Sequence, residues 1–129
     1  MFDIDQESTA ELESNGVWAN FRGAKFLIAH MNNISFQRHF NRLQQPHSKK
    51  IAKGSLDPKI QLDIMCEAMA GSLLLNWENV GSKGELISFS KEMAKNVLIN
   101  NSELREFITD YSTDLENFRD EEIEEEGKS

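Results

Sequence analysis

A single cysteine, Cys66, leaves the chain without the pair that a disulfide needs, and it fits a reducing cytoplasm. The longest apolar runs, FLIA at 26–29 and LLL at 73–75, fall far short of a bilayer span. The opening MFDIDQE is acidic where a secretory or mitochondrial leader would be basic. No HExxH, paired cysteine or nucleophile–histidine signature is present, so neither a metal site, a cofactor nor an enzyme activity is expected. His30, His39 and His47 stand 9 and 8 residues apart in a basic segment and read as surface histidines. The closing Gly127-Lys128-Ser129 is no phosphate loop, because Glu122 stands where its first glycine would be. With 129 residues, 39% hydrophobic and 28% charged, the chain is one globular domain with a single core.

Acidic residues are absent from one long stretch. Between Ser14 and Leu56 there is no Asp or Glu, and seven bases stand there: Arg22, Lys25, Arg38, Arg42, Lys49, Lys50 and Lys53. All 22 acids lie elsewhere, and the formal net charge is −8. Residues 103–126 are the most acidic, with Glu121, Glu122, Glu124 and Glu125 in the densest run. Such a net charge opposes nucleic acid and anionic membranes. The bipolar layout suits association of one copy with another, Arg38, Arg42, Lys49, Lys50 and Lys53 facing Glu121, Glu122, Glu124 and Glu125. The plainer alternative is two solvated faces that keep the protein in solution.

The pattern predicts a mainly α fold: a compact helical domain with a short N-terminal β-hairpin and a disordered acidic C-terminal tail. Residues 1–14 read as a flexible arm. GVWANF (16–21) and KFLIAH (25–30) form the hairpin, with Gly23 in its turn. Asn33 caps a helix to about Gln45 with Phe36, Phe40 and Leu43 inward and Arg38 and Arg42 outward. A short helical stretch follows Pro46 and closes at Gly54. Asp57-Pro58 starts a central helix running to about Asn76, with Cys66 in its core and Gly71 at a close helix crossing. GSKG (81–84) reads as a polar loop, pinned beyond by Ile87 and Phe89. Ser90 caps a helix over 91–99 with Met93, Val97 and Leu98 inward. The last helix carries the stripe Leu104, Phe107, Ile108, Tyr111, Leu115 and Phe118. Trp18 and Trp77 are expected in the core. Residues 120–129 are too charged to pack.

Four segments in this order carry a resemblance: NGVWANFRGAKFLIAH, NRLQQPHSKKIAKGSLDP, LLLNWENV and FSKEMAKNVLINNSELREFITDYSTDLENFR. Together they resemble the tail assembly chaperones of phages and prophages with long non-contractile tails, over about residues 15–119. Gly16-Val17-Trp18, Trp77-Glu78-Asn79-Val80 and Leu115-Glu116-Asn117-Phe118 are the most telling pieces. The resemblance implies a helical chaperone domain over 15–119 that works in the host cell cytoplasm and is absent from the mature virion. Its implied partner is the tape measure protein, which it keeps soluble. The tail tube protein is the second, recruited through a frameshifted longer form, and the chaperone itself is implied to be a homo-oligomer. The competing class is an acidic decoy that mimics DNA and binds a basic host protein through residues 103–126.

Overall fold

Strands β1 (Val17–Phe21) and β2 (Ala24–Ile28) pair antiparallel, joined by the two-residue turn Arg22-Gly23. Both turn residues have positive φ, 49° and 82°, the conformation whose twist matches a hairpin. The computed structural model, which describes residues 15–118, places this hairpin at the edge of a larger sheet. A third strand, β3 (Leu74–Glu78), pairs antiparallel with β2 and sets Trp77 opposite Phe26 and Glu78 opposite Lys25. The order is β1-β2-β3.

This third strand corrects the expected central helix. That helix, α3 (Pro58–Met69), does begin at Asp57, whose carboxylate accepts the Lys59 N–H at 2.9 Å. It stops well before Asn76. Ala70 leaves helical geometry, and Gly71 takes a φ of 91°, so it turns the chain and marks no helix crossing. Apolar residues at 73–75 satisfy a helix face and a strand equally well, and pairing with β2 decides. A lone two-stranded ribbon is marginal, and LLNWE completes it. GSKG is likewise no plain loop. It holds β4 (Gly81–Ser82) and the turn Lys83-Gly84, and β4 pairs with β5 (Glu85–Leu86) in a second small sheet. Five strands in two antiparallel sheets, packed with the helices, make a mixed α/β fold and overturn the mainly α expectation.

The other helices follow their sequence signals more closely. Helix α1 (Ile34–Gln44) is capped by Asn33, whose side chain accepts the Phe36 N–H at 2.9 Å. A 3-10 turn at Gln45–His47 leads into α2 (Ser48–Ala52), and Gly54, at φ 67°, closes it. Ser90 caps α4 (Lys91–Asn100) by accepting the Met93 N–H. Ala94 and Leu98, one turn apart, take its buried positions, whereas Met93, 36% exposed, stays outside the core and lines a surface cavity. Helix α5 (Ser102–Thr113) ends before Phe118, which is reached through a final 3-10 turn.

The inner face of the main sheet, Ala19, Phe26, Ile28 and Trp77, packs on Cys66 and Met69 of α3, Leu98 of α4 and Ile108 of α5. Strand alternation sends Trp18 to the opposite face, 42% exposed, so the expected core place is filled by Trp77 alone. Lys95 ties α4 to α3 through Asp63 at 3.0 Å. Along α5, Leu104 and Ile108 are buried, and Phe107 is half-buried with its ring stacked 4.7 Å from Phe21. Phe107→Ala should therefore cost about half the 3–5 kcal/mol of a fully buried phenylalanine, roughly 2 kcal/mol. A urea melt checks this, and an unchanged midpoint would mean that the stack on Phe21 contributes nothing.

The expected arm, residues 1–14, and the expected tail, 120–129, lie outside the described residues. No helix among those described is long and apolar enough to cross a membrane.

Candidate functional site

Helix α1 separates two depressions; of the five basic candidate residues, Arg38 and Arg42 line one, and Lys49, Lys50 and Lys53 line neither. On one side Phe40 and Gln44 of α1 meet Ile51 of α2, Leu56, and Ile64 and Met65 of α3 around an apolar groove of about 260 Å³. Local chemistry holds it open. Gly54 lets the chain reverse, Ser55 N–H returns to the Lys50 carbonyl at 2.9 Å, and Gln61 donates to the Leu56 carbonyl at 2.9 Å. Phe36 stacks beneath Phe40 at 5.7 Å and stiffens the α1 wall. Lys49 and Lys50 are exposed on α2, the helix whose Ile51 lines the groove, and Lys53 is exposed at its C-cap.

On the other side of α1 lies a polar cleft of about 460 Å³. Arg38, His39 and Arg42 form one wall, the backbone of Ala70–Ser72 another, and Lys91 of α4 closes it. The Lys91 stem lies across Gly71, where a Cβ would fall 2.5 Å from its Cε. Ile34, at the N-terminal end of α1, is 64% exposed at the cleft mouth. Arg38 and Arg42 are thus not joined to Lys49, Lys50 and Lys53 in one site. None of the five has an ion-pair partner among the described residues. Glu121, Glu122, Glu124 and Glu125, the expected counterpart, lie outside the described residues.

Two important residues escaped the sequence. Lys91 stands alone after a cap, and only the fold brings it beside α1. Ile51 is hidden in a basic run, and the one available signal was its being the single large apolar residue between Pro46 and Leu56.

His30 corrects the surface-histidine expectation. It is buried, its Nδ1 accepts the Asn32 N–H at 3.0 Å, and the Phe118 ring meets it edge-on at 5.1 Å. Beside it, Asn33 is buried too and donates to the carbonyls of His30 (2.6 Å) and Ser72 (3.0 Å) while capping α1. Asn33→Ala removes the cap and leaves the Ser72 carbonyl short of a donor, whereas the His30 carbonyl keeps the backbone N–H of residue 33 at 3.0 Å. The substitution should cost about 2–4 kcal/mol and lower α1 helicity, read by amide exchange. Unchanged protection of Gln37 and Arg38 would contradict this.

Burial pushes the Cys66 thiol up, so it stays protonated inside the core and behaves as a small apolar side chain. Among the described residues no group of three or more His, Cys, Asp or Glu side chains is placed to hold a metal ion. A further cavity, about 530 Å³, opens between the β1–β2 turn and α4, with Asn79, Asn96, Asn100 and Asn101 in its lining. Its one ionisable side chain, Arg22, is paired with Glu103. What the α1 face offers chemically is an apolar slot, with exposed lysines in the neighbouring α2 segment, suited to one side of an amphipathic helix.

A family model described as YdaY prophage protein matches residues 31–129. The matched part contains α1 to α5 and both depressions beside α1, and excludes β1 and β2. No curated protein and no solved structure matches the chain.

Proposed function

The chain belongs to the YdaY prophage protein family, and from that premise we propose that it is a tail assembly chaperone: a non-enzymatic protein that binds the tape measure protein, keeps it soluble and is left out of the finished particle. The observation that carries the proposal is the apolar groove beside α1, lined by Phe40, Ile51, Leu56, Ile64 and Met65, with Lys49, Lys50 and Lys53 exposed in the segment that supplies Ile51. A long helical partner offers repeated apolar stripes. A shallow groove of this kind takes one stripe at a time, with affinity weak enough to yield. Many copies would coat the partner in the host cytoplasm, and tail tube subunits would displace them. Neither a cofactor, nucleic acid nor a membrane has a part in this reading. The order of segments from Gly16-Val17-Trp18 to Leu115-Glu116-Asn117-Phe118 supports it independently.

Co-expression with the tape measure protein of the same prophage tests the proposal. The expected result is a soluble tape measure protein that co-purifies with this chain. A tape measure protein that stays insoluble and unbound would refute it.

A second reading, the acidic decoy, has one observation in its favour: Glu103, Glu106 and Asp110 are exposed along one side of α5. It ranks lower because Glu103 is already paired with Arg22. Capture of a basic host protein, with none of the tape measure protein, would reverse the ranking.

A further inference from the structure

Beyond the chaperone reading, and independent of it, we propose that the basic cleft beside α1 is the docking site of the chain's own acidic segment, Asp120–Glu126, held in the same molecule.

The starting point is where the described chain stops. Phe118 is fully buried, and its ring lies edge-on against His30. The His30 carbonyl accepts from Asn33, and the same Asn33 amide donates to the carbonyl of Ser72, which forms part of the cleft wall. Phe118, the last described residue, therefore lies close to the first turn of α1 and to the Ser72 wall of the cleft. Arg38 and Arg42 follow one and two turns further along the same ridge as Ile34. From Ile34 to Arg42 the helix rises about 12 Å. Residues 119–126 extended reach about 26 Å, enough to lie along that ridge without strain.

Charge and pattern agree with this placement. The cleft carries Arg38, Arg42 and Lys91, none of them ion-paired among the described residues. Two helix N-termini, those of α1 and α4, open beside it, and α1 has no acidic residue in its first turn. The segment DEEIEEE brings six carboxylates and one apolar side chain, Ile123. Ile34, exposed at the mouth, supplies the matching apolar contact, which would leave Glu124–Glu126 beside Arg38 and Arg42. A tether this short gives an effective concentration in the millimolar range, so the chain's own segment outcompetes that of another copy at micromolar protein. The basic residues that the sequence pairs with a neighbouring copy are thereby split. Arg38 and Arg42 serve the same chain, and Lys49, Lys50 and Lys53 remain free for a partner.

The test uses the full chain with Ser129→Cys carrying a nitroxide; the native Cys66 is buried and stays unlabelled. In ¹⁵N-labelled protein at low salt, the amides of 34–42, 71–72 and Lys91 should broaden far more than those of α5. The effect should fall severalfold at 0.5 M salt, where the Debye length drops to about 4 Å. It should vanish in Arg38→Glu/Arg42→Glu, two exposed positions, and in Glu124→Lys/Glu125→Lys. Broadening that ignores both pairs of substitutions, or that favours no surface, would overturn the proposal. So would broadening of equal size when spin-labelled chain is mixed with separate ¹⁵N chain, because the occupant would then be a second copy. None of these outcomes bears on capture of the tape measure protein.

Discussion

Trp77→Ala is expected to destabilise the protein by about 3–5 kcal/mol, the largest loss foreseen for any single residue. Trp77 is buried on β3 opposite Phe26, with Phe89 edge-on at 5.0 Å. Its indole N–H donates to the Ile87 carbonyl at 2.8 Å, which fastens the chain beyond the small hairpin to the main sheet. Truncation removes the ring from the core, opens a cavity and leaves that carbonyl unpaired. Domains of this size have about 5–15 kcal/mol in total, so the loss is a large share. Trp77→Phe keeps most of the packing and should cost distinctly less. Urea denaturation followed by circular dichroism reads both. A Trp77→Ala midpoint equal to wild type would contradict the β2–β3 sheet.

Ile51→Glu is expected to weaken capture of the tape measure protein by at least about tenfold, equivalent to about 1.4 kcal/mol. Ile51 is 38% exposed, so the fold loses little, and substitutions at such sites usually stay within about 0.5 kcal/mol. In a complex, the new carboxylate would be pressed into an apolar slot with no partner for it. Leu86→Glu is the matched control. It adds the same charge at a 76% exposed position on β5, which is not part of the groove. Binding measured for the two variants should separate them. Equal weakening would show that net charge, and not the groove, governs capture.

The parts of this fold legible from sequence are those fixed by neighbours within one turn. Asn33, Asp57 and Ser90 each accept an N–H two or three residues ahead, and each begins a helix as expected. The β1–β2 hairpin is similarly local, since Gly23 serves its turn. What the sequence hid was decided at long range. Leu74–Glu78 is a strand because β2 lies beside it, and Trp18 points outward because of the register of β1 on Phe26 and Leu27. The candidate site follows the same rule. Arg38 and Arg42 were recognisable as one exposed helical ridge, whereas Lys91 joins them only through the packing of α4 on α3 and of α3 on α1. The groove combines apolar residues from three helices, none of which shows a binding pattern alone.

The central claim is that the tape measure protein sits in the groove between α1, α2 and α3. Site-specific photocrosslinking in the co-expressed complex tests it most directly, with a benzophenone side chain placed at Gln44 and, in separate proteins, at Trp18 and Asn96. Gln44 lines the groove; Trp18 is on the outer face of the sheet and Asn96 in the cavity between the β1–β2 turn and α4. The account predicts crosslinks from Gln44 to amphipathic helical segments of the tape measure protein, and few or none from the other two positions. Crosslinks from Trp18 or Asn96 with none from Gln44 would contradict it.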